Sequence, residues 1–139
     1  MSIDQELLQI SHKHNGVLIP RDVVEFAKDP NTALHSRFDW DDSSAASKYR
    51  LEQARKIIRV RVTYLEDTNT PTRMFYSLPS DRREEGGYRQ IDWIMKREDA
   101  SAELLENAMK EFELWEAKYR HLKEILPIVE AAAKVKAVV

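Results

Sequence analysis

A chain of 139 residues, 42 % hydrophobic and 33 % charged, has the size and composition of one soluble domain with an appendage. It contains no cysteine, which excludes disulfides, thiolate catalysis and cysteine-ligated metals. Three glycines and five prolines argue against a low-complexity chain, and the net charge of -2 selects no partner by itself.

Residues 1–16 are polar and weakly patterned, so a flexible N-terminal segment is expected. Ile3, Leu7, Leu8 and Ile10 allow a short amphipathic helix within it. The start lacks a basic cluster and an apolar run, so no secretory signal is expected. No segment approaches the roughly 18 apolar residues of a membrane span. The expected location is therefore the cytoplasm, with no membrane partner.

A small α+β domain is expected over residues 17–97. Asn15-Gly16 is a turn signal, and Pro20 suits the first position of a helix that carries Val23, Val24 and Phe26. Asp29-Pro30 ends that helix, and Ala33, Leu34 and Phe38 suggest a further turn. The Asp39–Ser43 stretch reads as a cap for a helix from about Ser43 to Ile58. Its apolar side holds Ala46, Tyr49, Leu51, Ala54, Ile57 and Ile58. The period then changes to two. Ile58, Val60, Val62 and Tyr64 alternate with Arg59, Arg61 and Thr63, which predicts a strand with an apolar buried face. A second alternation from Thr72 to Leu78 predicts a hairpin, and Tyr88 to Met95 supplies a candidate third strand.

Residues 98–139 read as a helical oligomerisation stem with a flexible tail. Leu105, Ala108, Phe112, Trp115, Tyr119, Leu122, Leu126 and Val129 are spaced alternately by three and four, the mark of a heptad seam. One helix is expected over 101–126, started by Asp99 or Ser101 and kinked or restarted at Pro127. Candidate oligomerisation residues are Leu105, Phe112, Trp115, Tyr119, Leu122 and Leu126. Their aromatic content suits a parallel dimer less well than an antiparallel hairpin, a bundle or a trimer. The alternative is an ordinary helix packed on its own domain.

Catalytic signatures are absent. Gly86-Gly87 is too short for a phosphate loop. His12 and His14 stand two apart, His35 sits in an apolar cluster and His121 flanks the seam; none has a metal-site companion. Asp39, Asp41 and Asp42 lack the central glycine and terminal glutamate of a calcium loop, and capping accounts for them. Neither a metal, a cofactor nor an enzymatic activity is expected.

Charge is unevenly spread. Lys48, Arg50, Arg55, Lys56, Arg59 and Arg61 stand against Glu52, while residues 98–116 hold seven acids against Lys110. Arg50, Arg55, Lys56, Arg59 and Arg61 are candidate phosphate contacts, with tyrosines such as Tyr49 and Tyr88 available to stack on bases. The competing reading sets the basic helix against the acidic stem. A helix-turn-helix is also conceivable, with Pro20–Lys28 or Thr32–Phe38 before the Ser43–Ile58 helix, although the acidic start of that helix suits groove reading poorly.

The run Leu34-His35-Ser36-Arg37-Phe38-Asp39-Trp40-Asp41-Asp42, then Ala45-Ala46 and Tyr49-Arg50-Leu51-Glu52-Gln53-Ala54-Arg55, resembles a family of small uncharacterised phage and prophage proteins. The Val60–Tyr64 strand, Asp81-Arg82-Arg83, Gly86-Gly87-Tyr88-Arg89 and the glutamate-rich final helix extend the resemblance over roughly residues 17–128. It implies a viral or prophage origin and a bacterial host cytoplasm, and it carries no functional residues over. The leading expectation is an oligomeric nucleic-acid-associated protein, with DNA as partner and no catalysis. The rival is an assembly module that acts on a host or phage protein through Phe38 and Trp40 or through the stem.

Overall fold

The computed structural model describes residues 1–41, 43–65, 69–82 and 86–138. It divides into two compact units, Met1–Trp93 and Ile94–Val139. The fold is α+β, with short N-terminal helices, two small antiparallel sheets and a long C-terminal helix.

The first unit opens with α1, Ile3–Lys13, in place of the flexible segment that the weak patterning suggests. Ser2 and Gln5 form a reciprocal capping box at its start, which pairs amide groups that a bare helix end leaves open. Leu7 and Ile10 are buried in the core. The helix stops at Asn15-Gly16, both at positive φ, with the Gly16 amide donating to the Ser11 carbonyl at 2.7 Å. Helix α2, Pro20–Ala27, starts on its proline as expected and buries Val23, Val24 and Ala27.

A single 3-10 turn, His35–Arg37, replaces the helix considered over Thr32–Phe38. Helix α3, Ser44–Arg59, follows, with Ser43 as its N-cap accepting from the Ala46 amide at 3.2 Å. Asp42, part of the expected cap, lies outside the described residues. The path from Ala27 to Ser44 is far longer than the roughly 3–4-residue turn of a helix-turn-helix, so that arrangement is not formed. Helices α2 and α3 pack together, and Ala54 and Ile58 join Leu34 and Phe38 in the core.

The sheets are shorter than the alternation suggests. Strand β1, Val62–Tyr64, pairs antiparallel with β2, Pro71–Arg73, Val62 opposite Arg73. Residues 66–68 of the expected turn lie outside the described residues. The expected burial is inverted, since Val60, Val62 and Tyr64 are exposed while Arg61 and Thr63 are half-buried. The cause is the helix end. Helix α3 runs through Arg59, so Ile58 belongs to a helical face, and the strand begins afterwards in the opposite phase. A break after Arg73 then lets Met74 and Phe75 both enter the core. Strand β3, Phe75–Tyr76, pairs with β4, Arg89–Gln90, as a separate two-stranded sheet. The expected third strand ends there, because Ile91–Met95 forms helix α4. Tyr88 bridges Leu18, and a side chain at Gly87 would meet Val17 Cγ1 at 2.5 Å, so any larger residue here requires the Val17 side chain to shift.

In the second unit, α5 spans Glu98–Tyr119 and α6 spans Leu126–Lys136, with a 3-10 turn at Lys123–Ile125. The single helix expected over 101–126 therefore ends at Tyr119. Pro127 lies in the first turn of α6, where its missing N–H costs nothing, and a continuous helix would have driven its ring into the Lys123 carbonyl. Leu122 instead takes an extended conformation. Asp99 and Ser101 are not the cap; Arg97 holds that position, without a side-chain capping bond to the first turn. Lys136 Nζ meets Glu113 Oε1 at 2.7 Å, so α6 folds back along the later half of α5 as a helical hairpin.

Candidate interaction surfaces

The five basic residues singled out for phosphate contact divide into two groups. Arg50 turns inward: its Nε donates to the Asp39 carbonyl at 2.9 Å, a terminal nitrogen donates to the Asp41 carbonyl, and its guanidinium lies 5.2 Å from the Trp40 ring centre. It clamps the loop before α3. Arg61 is half-buried, 3.7 Å from Asp4 Oδ1. Arg55 pairs with Glu52 one turn back. Lys56 and Arg59 are exposed, with Arg59 Nε donating to the Arg55 carbonyl at 3.3 Å. At about 100° per residue, Lys48, Arg55, Lys56 and Arg59 share one face of α3, and Arg50 lies on the other side.

Phe38 and Trp40 do not form the exposed anchor considered for a protein partner. Phe38 is buried and Trp40 packs half-buried against the core. Trp40 stacks on His35 with ring centres 5.0 Å apart, and its Nε1 donates to the His35 carbonyl at 2.8 Å. His35 Nδ1 in turn lies 2.8 Å from the Ala27 carbonyl, which only accepts, so this nitrogen carries the proton. The cluster fastens the loop to α2 and α3.

Two buried polar constructions have no clear sequence signal. Glu6, almost fully buried, accepts from the Ala33 amide at 2.7 Å and the Leu34 amide at 2.9 Å. Arg89 makes a two-pronged pair with Asp81 at 2.9 and 3.1 Å. It also donates to the Asn15 carbonyl at 3.2 Å and lies 4.4 Å from the Trp93 ring centre. Both constructions are internal struts. Arg83, Glu84 and Glu85, between Asp81 and Arg89, lie outside the described residues.

The second unit leaves its apolar side chains in view. Phe112, Trp115 and Tyr119 form a run of rings with centres 5.6 and 5.5 Å apart. Trp115 remains 39 % exposed and Leu105 42 %. Leu122 and Leu126 are also exposed, but they lie in the turn and at the start of α6, so the regular seam stops at Tyr119. A groove of about 270 Å³ between the helices is lined by Glu116, Arg120, Leu122, Ile125 and Val129, among others. Glu113, Glu116 and Arg120 lie roughly a quarter-turn around α5 from the seam, so α6 flanks the seam and leaves it open.

Among the described residues, no group of three or more His, Asp or Glu side chains is placed to hold a metal, and no helix is long and apolar enough to cross a membrane. No family model, curated protein or solved structure matches the chain.

Proposed function

We propose that this chain is a non-catalytic assembly protein whose C-terminal helical unit joins it to another copy of itself. The supporting observation is the seam Leu105, Phe112, Trp115 and Tyr119, spaced by heptad steps along α5 and still partly exposed beside α6. Exposed apolar surface in a continuous stripe marks an association site more often than scattered apolar residues do. The magnitudes set the expected strength. Full burial of such a side chain stabilises by roughly 1.5–3 kcal/mol, so covering the remaining exposed fraction gains about 1 kcal/mol each. Four residues from each of two copies then approach the lower part of the roughly 4–15 kcal/mol cost of association. Leu126, Ile128 and Val135 on α6, also exposed, add to the balance.

The resemblance to small phage and prophage proteins supplies the setting, a bacterial cytoplasm in which a homo-oligomer meets host or phage partners. The test is the size in solution of a Leu105→Glu, Trp115→Glu double variant, both on the exposed seam of α5. It should sediment as a monomer with the Met1–Trp93 unit still folded, while the native chain sediments as an oligomer. Equal sizes would remove the reading.

A second reading rests on the outer face of α3. Lys48, Lys56 and Arg59 are exposed there, and Tyr64 and Arg73 are exposed on the β1–β2 ribbon. In this reading the assembled protein contacts a nucleic-acid backbone through Lys56 and Arg59, and self-association raises a weak affinity by joining two sites.

A further inference from the structure

We infer that two copies pair through α5 in antiparallel register, with Ala108 near the two-fold axis; this rests on the self-association reading. Two gradients along the second unit point to it. The first is charge. Residues 98–116 carry seven acids against Lys110, whereas residues 118–136 carry Lys118, Arg120, Lys123, Lys134 and Lys136 against Glu124 and Glu130. A parallel pair sets acid on acid along the whole first half of α5. An antiparallel pair about Ala108 sets Glu98, Asp99 and Glu103 of one copy at the level of Lys118, Arg120 and Lys136 in the hairpin end of the other. At the two ends of the pair like-charge neighbours are thus exchanged for opposite ones, while the acids from Glu106 to Glu116 lie near the axis in either arrangement.

The second gradient is size. The seam positions early in α5 are Ser101, Leu105 and Ala108, two of them small, and the later ones are all large, Phe112, Trp115 and Tyr119. Parallel pairing stacks Trp115 on Trp115 and leaves Ser101 facing Ser101. Antiparallel pairing about Ala108 places Trp115 in the layer of Ser101 and Phe112 in the layer of Leu105, so the largest side chain of the seam fills the space left by its smallest polar one. The hairpin adds a third consideration. Helix α6 folds back only as far as Glu113. The first half of α5 extends beyond it, and in this register that half lies alongside α6 of the other copy. The result is a four-helix arrangement with an isologous interface.

The chain contains no cysteine, so a nitroxide on Ser101→Cys or Ala108→Cys reports one site per copy. In the antiparallel pair, position 101 faces position 115, so the two copies of position 101 lie about 21 Å apart along the axis at 1.5 Å per residue. With helices roughly 8–10 Å apart, the label separation at Ser101→Cys should be about 25 Å, and at Ala108→Cys about 10–15 Å. A short separation at both sites in a sedimenting dimer would show a parallel pair, overturning the register while leaving self-association standing. No dipolar coupling at either site in a chain that sediments as a monomer would overturn both.

Discussion

Glu6 holds Leu34: the carboxylate in the first turn of α1 accepts the amide of a residue 28 positions later, at 2.9 Å, in a site closed to water. Its other oxygen takes the neighbouring Ala33 amide at 2.7 Å. The turn after α2 has no helix or strand partner for these amides, so a side chain from α1 supplies one. Glu6→Ala should lower stability by about 2–4 kcal/mol, because buried donors are left unpaired. Glu6→Gln, which keeps one acceptor oxygen, should cost less. Urea unfolding followed by circular dichroism reads both, and a change under about 0.5 kcal/mol for the alanine variant would show that water replaces the carboxylate.

Arg89 is predicted to act as a strut. Its pair with Asp81 is mostly shielded from water, with 17 % and 13 % of the two side chains exposed. Arg89→Ala leaves Asp81 charged and without this partner, which should cost about 1–3 kcal/mol given the partial exposure. It also uncovers the Trp93 ring, so tryptophan emission should move toward that of a hydrated indole. Unchanged emission and stability would show that the pair contributes nothing.

The nucleic-acid reading makes a selective prediction. Lys56→Glu with Arg59→Glu should weaken binding to single-stranded DNA. The salt dependence should flatten by about one unit of slope for each phosphate that is no longer neutralised. Arg50→Ala should instead lower stability without changing that slope, because Arg50 is committed to the Asp39 and Asp41 carbonyls. Titrations at two salt concentrations decide it. Binding that is absent at low salt, or indifferent to salt, removes the second reading.

Local signals carry much of the architecture. The proline start of α2, the Asn15-Gly16 turn and the Ser43 start of α3 depend on neighbouring residues, and each appears where the chain chemistry places it. The sheet phase is hidden because Ile58 satisfies a helical stripe and a strand alternation equally well; only the helix end at Arg59 separates them. The end of α5 at Tyr119 is readable in part from Pro127, whose ring acts a full turn upstream. The heptad spacing masks that effect by continuing through Leu122 and Leu126.

The candidate sites are less legible. A run of cations in sequence does not show which of them turn inward, and Arg50 and Arg61 do so because Trp40 and Asp4 come from other segments. Glu6 leaves a faint trace, an acid one turn before Ile10 on an apolar face, but the amides it serves are distant in sequence. The same holds for Arg89, whose partners Asn15, Asp81 and Trp93 meet only in the fold.

Sedimentation equilibrium of the native chain, from about one to one hundred micromolar, tests the central claim most directly. Association through the α5 seam predicts an apparent mass that rises with concentration from 16.3 kDa toward twice that value. A mass fixed at that of a single chain across the range would contradict it.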